Sequence, residues 1–539
     1  MRRLYVQRWI LELAAFLVVG ALLSLSCRTD ANWDLQNYHL YAPFAALNGR
    51  LGADYFAGGF QAYLNPLEDM PYYMAKFVLF PHAPRIVALC AGLPFGFLAF
   101  VVFQLARTLV GEPWAATFAA LTGLTGATTL SEVGTTYDDI LTAGLVLLAL
   151  LGVVRFWRHA VAIAGGLCGL AVALKLTAAI YVLPLAGAVA IMAPARRDLF
   201  RNAGIFTATS ALAFTVGYGW WGVLLWRHFH DPVFPLLGGL FHAPLALRLD
   251  PHDVRFLPRS VGQWIAYPLY WIEGRSFVVS EEPLRDPRFA LAWLAALAAG
   301  VGLLRRRMER PEAPTLALWW FIVVAYPIWL MVFSILRYAL PLEVCTGIFV
   351  VTVLQRRFAR ATVTRLALAL LVFCLVTTKP IGWGRIGYGE SLVEGKVPVL
   401  PSGALVLMRG APLGYVVVRL ATSGSRFVNM QDLALDPAEQ RIVRRRLARS
   451  RPAFLLTNRP VTHAAPALAR FGTSVGSGAC RIVHSPVQRS IELCRIRRDP
   501  KQVESSHRKQ FAREAEGSRW SGSGNRISYF NYLKNNYFY

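Results

Sequence analysis

The feature that most constrains the fold of this chain is a series of long apolar runs that fills the sequence up to about Thr378. A membrane-spanning helix needs about 20 apolar residues, and in lipid only helices and closed barrels satisfy their own backbone hydrogen bonds. Charged residues make up only 16% of the chain, against about 25% in soluble domains. The pattern therefore predicts an all-α polytopic membrane protein.

About eleven helices are expected to span the membrane. The apolar runs cover residues 10–26, 86–105, 114–130, 140–154, 161–174, 176–195, 203–226, 289–304, 315–336, 339–354 and 361–378. Several runs are shorter than a straight span requires. The separation of 161–174 from 176–195 is the weakest, because it depends on Lys175 alone.

The basic residues indicate the orientation in the membrane. A net charge of +25 could indicate nucleic-acid binding, but many arginines lie in short clusters between the apolar runs. With eleven spans, all of these clusters fall on one side, which is the cytoplasmic side because cytoplasmic loops collect Lys and Arg. We therefore expect no nucleic-acid partner. The prediction is a multi-pass protein of the bacterial inner (plasma) membrane, with a cytoplasmic N-terminus and everything after Lys379 in the periplasm.

Three parts follow from this topology. Residues 1–378 form the transmembrane domain, with long outer loops at 28–85 and 227–288. The first outer loop has two stretches with helical spacing, "NYHLYAPFAALNGR" and "NPLEDMPYYMAKFVLF", and is expected to carry two surface helices. Residues 379–500 form a small α/β periplasmic domain, and residues 501–539 a polar, mostly disordered tail.

The C-terminal domain shows alternating strand and helix patterns. "ALVLM", "GYVVVRL" and "PAFLLTN" are predicted strands, and "DPAEQRIVRRRLARS" is a predicted amphipathic helix. "CRIVHS" and "SIELCRI" would form a hairpin. Cys480 and Cys494 could close that hairpin in an oxidising compartment, and the sequence leaves open whether they pair.

Two residues just outside the first apolar run are candidates for catalysis. Asp34 lies between Trp33 and Tyr38, where a partly desolvated carboxylate could act as a base. The structural alternative is a helix N-cap, a position that aspartate favours. His39 is either a partner of Asp34 or a plain interface histidine.

Further candidates lie at the outer ends of later apolar runs. Asp138 and Asp139 either cap a helix or contact a donor group or a metal. Lys175 either occupies an intramembrane site or lies at an outer turn. Arg337, in "RYALP" with Tyr338, either grips a phosphate with its planar fork or reaches to the interface.

The sequence contains no P-loop, no GxGxxG after a strand and no GxSxG in a fitting context. This argues against a nucleotide-driven enzyme or pump, so energy or activated groups would come from an ion gradient or from an already activated lipid substrate. The alternative to an enzyme is a membrane transporter or lipid flippase, which usually shows paired inverted halves. The unequal placement of the long loops shows no such symmetry.

These features together resemble the GT-C superfamily of polytopic glycosyltransferases, which includes protein O-mannosyltransferases, aminoarabinose transferases and oligosaccharyltransferases. The resemblance covers residues 1–497 in architecture. The stretches that look like a bacterial branch of these proteins are "WDLQNYHLYAPFAALNGRLG", "LNPLEDMPYY" and "HDPVFPLLGGLFHAP".

The resemblance implies transfer of a sugar from a polyprenyl-phosphate carrier to a periplasmic acceptor, which could be a lipid, a glycan or a protein. The first-loop acid of that family, a base or metal ligand, corresponds to Asp34, so a divalent metal stays open as a cofactor. The basic residue that binds the carrier phosphate corresponds to Arg337, with Lys175 as a less secure second. Leu35 follows Asp34 where the mannosyltransferases have a second acid, so Asp54, Glu68 and Asp69 remain alternative bases.

Overall fold

The computed structural model describes residues 2–155, 157–243, 253–275, 277–430, 437–449 and 452–498. The chain divides into two compact units. The first comprises residues 1–28, 82–220 and 253–383, and the second comprises residues 29–81, 221–252 and the chain from 384 onward. The tail predicted to be disordered, from Lys501, lies outside the described residues.

Helices dominate the described residues. In chain order the α-helices are α1 (Arg2–Ser26), α2 (Tyr41–Leu47), α3 (Met70–Met74), α4 (Pro84–Ala91), α5 (Leu93–Leu109), α6 (Pro113–Leu124), α7 (Ala127–Ser131), α8 (Asp139–Arg155), α9 (Trp157–Leu174), α10 (Val182–Ile191), α11 (Arg196–Phe229), α12 (Gly238–Phe241), α13 (Val261–Tyr270), α14 (Arg288–Leu304), α15 (Ala313–Val332), α16 (Leu340–Leu354), α17 (Arg360–Thr377), α18 (Gly414–Leu420), α19 (Pro437–Arg449) and α20 (Val461–Ala469).

Five helices of the described residues are long and apolar enough to cross a membrane: Gln7–Ser26, Pro84–Leu109, Ala313–Val332, Leu336–Leu354 and Arg360–Thr377. Three shorter apolar helices accompany them, namely Ala160–Leu174, Leu176–Ile191 and Arg288–Leu304. On α1 the side chain of Leu11 is 70% exposed, as expected for a helix whose outer face meets lipid. Every predicted apolar run overlaps a helix, whereas the count of eleven spans stays a prediction.

Close contacts between backbones organise the first unit. A Cβ atom at Gly123 of α6 would lie 2.0 Å from the carbonyl oxygen of Val344 in α16. A Cβ atom at Gly347 of α16 would lie 2.2 Å from the carbonyl oxygen of Ala119. Small residues at such crossings let two helices approach closely, which favours packing within a membrane. Helices α6 and α16 therefore form a tight pair.

A buried polar network fixes the break between α6 and α7. The Glu343 carboxylate of α16 accepts hydrogen bonds from the backbone N–H (2.8 Å) and hydroxyl (2.6 Å) of Thr129. Asp286 accepts from the N–H of Ala127 at 2.8 Å and forms an ion pair with Arg288 at 2.9 Å, both side chains being fully buried. Because buried charges are costly unless paired, this network holds α7 and the start of the loop after it in one position.

The second unit contains the strands. In chain order they are β1 (Thr29–Asp30), β2 (Arg385–Ile386), β3 (Leu405–Arg409), β4 (Arg426–Asn429), β5 (Ala453–Thr457), β6 (Thr473–Val483) and β7 (Ile491–Arg498). Strands β1 and β2 form an antiparallel pair, and the others form a sheet of order β4-β3-β5-β7-β6. Strand β3 is parallel to β4 and β5, and β7 is antiparallel to β5 and β6.

One predicted strand of this domain is wrong. "GYVVVRL" is helix α18, Gly414–Leu420, and not a strand. Its valines favour strands locally, but β3 and β4 are parallel, and a parallel pair needs a crossover connection, usually a helix. The predicted hairpin is confirmed as β6 and β7, where Cys480 pairs opposite Cys494 and forms a disulfide with it.

The first outer loop packs on the edge of this sheet. The N–H of Tyr55 donates to the carbonyl of Phe427, and the N–H of Asn429 donates to the carbonyl of Tyr55, both at 2.9 Å. The Asp54 carboxylate accepts from the N–H of Phe427 at 2.8 Å and from Arg50 at 2.6 and 2.8 Å. The loop thus belongs to the same compact unit as the C-terminal domain, although its neighbours in the sequence are membrane helices.

Candidate active site

In the first unit, candidate residues from three separate regions of the sequence come together. Asp139 is the first residue of α8. Lys175 lies at the break between α9 and the 3-10 helix Leu176–Tyr181. Arg337 and Tyr338 lie in the 3-10 turn Leu336–Ala339, which leads into α16. We call these four residues, with Tyr137 of the preceding loop, the Asp139 cluster.

Asp139 is held between two cations. Lys175 Nζ lies 2.8 Å from Asp139 Oδ1 and donates a hydrogen bond to the carbonyl of Tyr137 at 2.5 Å. Arg337 Nη1 lies 3.5 Å from Asp139 Oδ2, which is longer than the 2.7–2.9 Å typical of charge-assisted hydrogen bonds. The side chains of all three ionic groups are largely buried, at 5% exposed for Asp139, 12% for Lys175 and 17% for Arg337.

Aromatic rings surround the two cations. The guanidinium carbon of Arg337 lies 4.0 Å from the ring centroid of Tyr137, and Lys175 Nζ lies 5.7 Å from that of Tyr338. The Tyr181 hydroxyl donates to the carbonyl of Tyr338 at 2.5 Å and so fixes the turn that carries Arg337. Rings at this distance stabilise a cation by their negative faces. The cluster is therefore a preorganised, positively charged site.

The paired acids of the sequence have different environments. Asp138 adopts the left-handed backbone region with a φ of 60°, which aspartate tolerates better than most residues, and its carbonyl accepts the N–H of Thr142. Asp139 lies in the first turn of α8, as the capping alternative expects, but its carboxylate also pairs with Lys175 and Arg337. Capping alone does not account for that arrangement.

Sequence reasoning gave Glu132 no role of its own. This residue follows α7 and is 2% exposed. Burial raises the pKa of the Glu132 carboxyl well above its ordinary value, and Asp139 raises it further, whereas Arg337 and Lys175 oppose these effects. A glutamate within "LSEVGTTYDD" gives little sign of this burial, because the segment has no helical or strand period.

The second unit carries Asp34 and His39. Asp34 directly precedes a π-helical segment, Leu35–His39, and forms no side-chain cap there, so the N-cap alternative is not observed. Its carboxylate accepts a hydrogen bond from the Tyr38 hydroxyl at 3.2 Å. Single π-helical turns occur frequently at functional sites. Asp34 is partly exposed, whereas the other aspartates of the first loop are buried.

His39 is paired with an acid far away in the sequence. Its Nδ1 lies 2.5 Å from Asp69 Oδ1, and both residues are buried. Such a carboxylate fixes the orientation of an imidazole ring. Of the alternative bases, Asp54 is engaged by the Tyr41 hydroxyl at 2.8 Å, by Arg50 and by the backbone of β4, which fits a structural role.

A group of possible metal ligands lies at the β6–β7 hairpin of the second unit. Among the described residues of the second unit, Cys480, Glu492 and Cys494 bring possible ligand atoms together. Their sulfurs are joined in the disulfide and are not the thiolates that bind metals. The expectation of a divalent metal at Asp34 stays a prediction.

The helical first unit and the α/β second unit have the fold of solved ArnT structures. No family model matches the sequence, and no curated protein matches it. Two solved structures of ArnT from Cupriavidus metallidurans share the fold. The structure bound to undecaprenyl phosphate has a TM-score of 0.52 at 14% identity and covers 90% of this chain and 98% of its own. The apo structure has a TM-score of 0.53 at 13% identity, covering 91% and 98%.

Proposed function

We propose that this chain is an integral membrane glycosyltransferase that moves a sugar from a polyprenyl-phosphate-linked donor to a periplasmic acceptor. The observation that carries the proposal is the Asp139 cluster, in which two largely buried cations meet one carboxylate among aromatic rings. Such a site suits the phosphate of a lipid carrier. The fold supports the same conclusion, since one of the ArnT structures that share it is bound to undecaprenyl phosphate.

The proposed reaction is a direct displacement at the anomeric carbon of the sugar. Asp34 takes the proton from the acceptor hydroxyl, and the oxygen forms a bond to the anomeric carbon. The bond from that carbon to the phosphate oxygen breaks, and its electron pair leaves with the polyprenyl phosphate. His39, whose ring is oriented by Asp69, is the second proposed catalytic residue of the first loop.

The cations of the first unit act on the leaving group. Arg337 and Lys175 stabilise the phosphate as its negative charge increases, with Asp139 and Tyr338 keeping them in position. Positioning and electrostatic stabilisation of this kind supply most of the acceleration in many enzymes. Because the leaving group is already a stable anion, the reaction needs no nucleotide.

The proposed location is the inner membrane, with the C-terminal domain in the periplasm. The disulfide between Cys480 and Cys494 supports this side, because structural disulfides persist in oxidising compartments. The arginine-rich loop between α14 and α15 supports a cytoplasmic position for the opposite side.

The test is transfer of a labelled sugar by the purified protein in liposomes. Polyprenyl-phosphate sugars are offered one at a time with a crude envelope extract as acceptor. We expect label in a new covalent product together with release of polyprenyl phosphate. Movement of the intact donor between leaflets without a covalent product would instead support a transporter or flippase.

A further inference from the structure

Glu132 is a buried acid whose hydrogen-bonding capacity is unused. The residue is 2% exposed, and neither of its carboxyl oxygens has a hydrogen-bond partner among the described residues. A buried polar group without a partner destabilises the folded state, so native proteins rarely keep one without a reason. The backbone of Glu132 is well held, since its N–H donates to the carbonyl of Thr128.

Glu132 lies close enough to the Asp139 cluster for the charges of that cluster to act on its carboxyl group. The charged groups that act on its carboxyl are Asp139, Arg337, Lys175 and Glu343. Lys175 and Arg337 are both engaged with Asp139, so the cluster has two cations for this one carboxylate. With Glu132 protonated, Asp139, Lys175 and Arg337 together carry one net positive charge, and the Glu343 carboxylate is already engaged by Thr128 and Thr129.

We infer that Glu132 acts as a protonated carboxylic acid that donates a hydrogen bond to a phosphate oxygen of the lipid carrier in the Asp139 cluster. This inference rests on the proposed function. A bound phosphate would satisfy the acid with an acceptor and would add a negative charge that keeps the acid protonated. Glu132 would thus be a third phosphate-binding residue beside Arg337 and Lys175.

The composition of the cluster favours an anion over a metal ion. A divalent cation needs several carboxylate or other oxygen ligands, and it would lie beside Lys175 and Arg337. The repulsion from one ammonium group and one guanidinium group at close range opposes that arrangement. An anion instead gains from both cations and from the donor on Glu132.

The test measures binding of undecaprenyl phosphate to the full-length protein in nanodiscs between pH 5 and pH 9. The variants are Glu132→Gln, which keeps a neutral donor, and Glu132→Ala, which removes it. Glu390→Gln, at an exposed position of the second unit, is the matched control. Parallel series contain inorganic phosphate as competitor, and EDTA or added Mg²⁺.

We expect the affinity of wild type to fall at least about 10-fold as the pH rises and Glu132 ionises, because an ionised acid repels the phosphate. Glu132→Gln should bind tightly and should lack this fall, keeping only the pH dependence that the titration of the phosphate itself causes. Glu132→Ala should bind about 10-fold or more weakly at low pH, the loss expected for a hydrogen bond to a charged group. Inorganic phosphate should compete only weakly if the lipid is the ligand.

Three results would overturn the inference. Wild-type affinity in a folded Glu132→Ala variant, judged by its melting temperature, would remove Glu132 from the site. Equal losses of affinity in Glu132→Gln and Glu132→Ala would show that a hydrogen-bond donor at position 132 does not contribute to phosphate binding. Binding that requires Mg²⁺ and disappears in Glu132→Gln would make Glu132 a metal ligand. A wild-type protein that binds no undecaprenyl phosphate at any pH would instead contradict the proposed function itself.

Discussion

At the scale of the residue, Asp34 differs from the other aspartates of the first loop in the solvent exposure of its side chain. Asp54 and Asp69 are buried and paired with Arg50 and His39, whereas Asp34 is partly exposed. We expect Asp34→Asn to lower sugar transfer by about 10²–10⁴-fold, the range for loss of a general base, with an unchanged melting temperature. Glu390→Gln, an exposed acid of the same unit, should retain activity. Full activity of Asp34→Asn would exclude Asp34 as the base.

Glu132 should make the stability of the fold depend on pH. Burial and Asp139 raise its pKa in the folded chain above the ordinary 4.5, so the folded state holds this proton more tightly than the unfolded state. The resulting stabilisation is complete below about pH 4.5 and is lost as the pH rises through the raised pKa.

The measurement is the melting temperature of the detergent-solubilised protein across pH. Wild type should lose stability towards alkaline pH relative to Glu132→Gln, whose side chain does not titrate. Parallel curves for the two proteins would show that Glu132 titrates normally in the folded state.

The residue scale also shows what a sequence can predict about a site. Asp139, Lys175 and Arg337 were selectable because a charged residue near the end of an apolar run is unusual, and Tyr338 because it follows Arg337 in "RYALP". Their mutual contacts were not predictable, because they depend on how α8, α9 and α16 pack. Glu132 was given no role of its own, since an acid in a polar loop looks solvated until the fold buries it.

At the scale of the element, the crossing of α6 and α16 is one of the closest backbone contacts in the first unit. A methyl group at Gly123 would lie 2.0 Å from the Val344 carbonyl oxygen, whereas Gly300 of α14 has nothing within 4 Å. Gly123→Ala should therefore destabilise the protein by about 1–3 kcal/mol or more. Gly300→Ala should be neutral or slightly stabilising, because alanine favours helices. Similar melting temperatures for the two variants would contradict the close approach of α6 and α16 at Gly123.

The link between the first loop and the sheet depends on Asp54. Its carboxylate bonds to Arg50, the Tyr41 hydroxyl and the backbone of β4, so Asp54→Ala would leave a buried guanidinium without its counter-ion. Breaking a buried pair in this way costs about 3–5 kcal/mol. We expect faster proteolysis of the first loop and loss of activity. Arg419→Ala, at an exposed position of α18, is the control, and equal proteolysis of both would argue against this anchor.

Local periodicity predicts some helices and strands of this protein, whereas others depend on the pairing of distant segments. Both first-loop helices, the amphipathic helix α19 and the strands β3, β5, β6 and β7 follow from periodicity. Helix α18 does not, because its run of valines is a strand pattern that only the parallel pairing of its neighbours overrides. The attachment of Tyr55 to β4 is likewise invisible in the sequence, since the two segments lie far apart along the chain.

At the scale of the whole molecule, the prediction concerns which side of the membrane the α14–α15 loop faces and which side the second unit faces. The loop between α14 and α15 contains Arg305, Arg306 and Arg307 and the exposed Glu309, whereas Lys396 is exposed in the second unit. The positive-inside bias assigns the arginine-rich loop to the cytoplasm. The disulfide of the second unit is expected on the oxidising side.

Single cysteines at these two exposed positions test the assignment in intact spheroplasts. A membrane-impermeant maleimide should label Lys396→Cys at once, and should label Glu309→Cys only after the membrane is permeabilised. Unmodified protein, with its free and partly exposed Cys27 and Cys90, gives the background, and its labelling without permeabilisation should increase when a reductant opens Cys480–Cys494. Labelling of Glu309→Cys in sealed cells would reverse the topology. It would place Arg305, Arg306 and Arg307 on the outer face, where the positive-inside bias does not expect them.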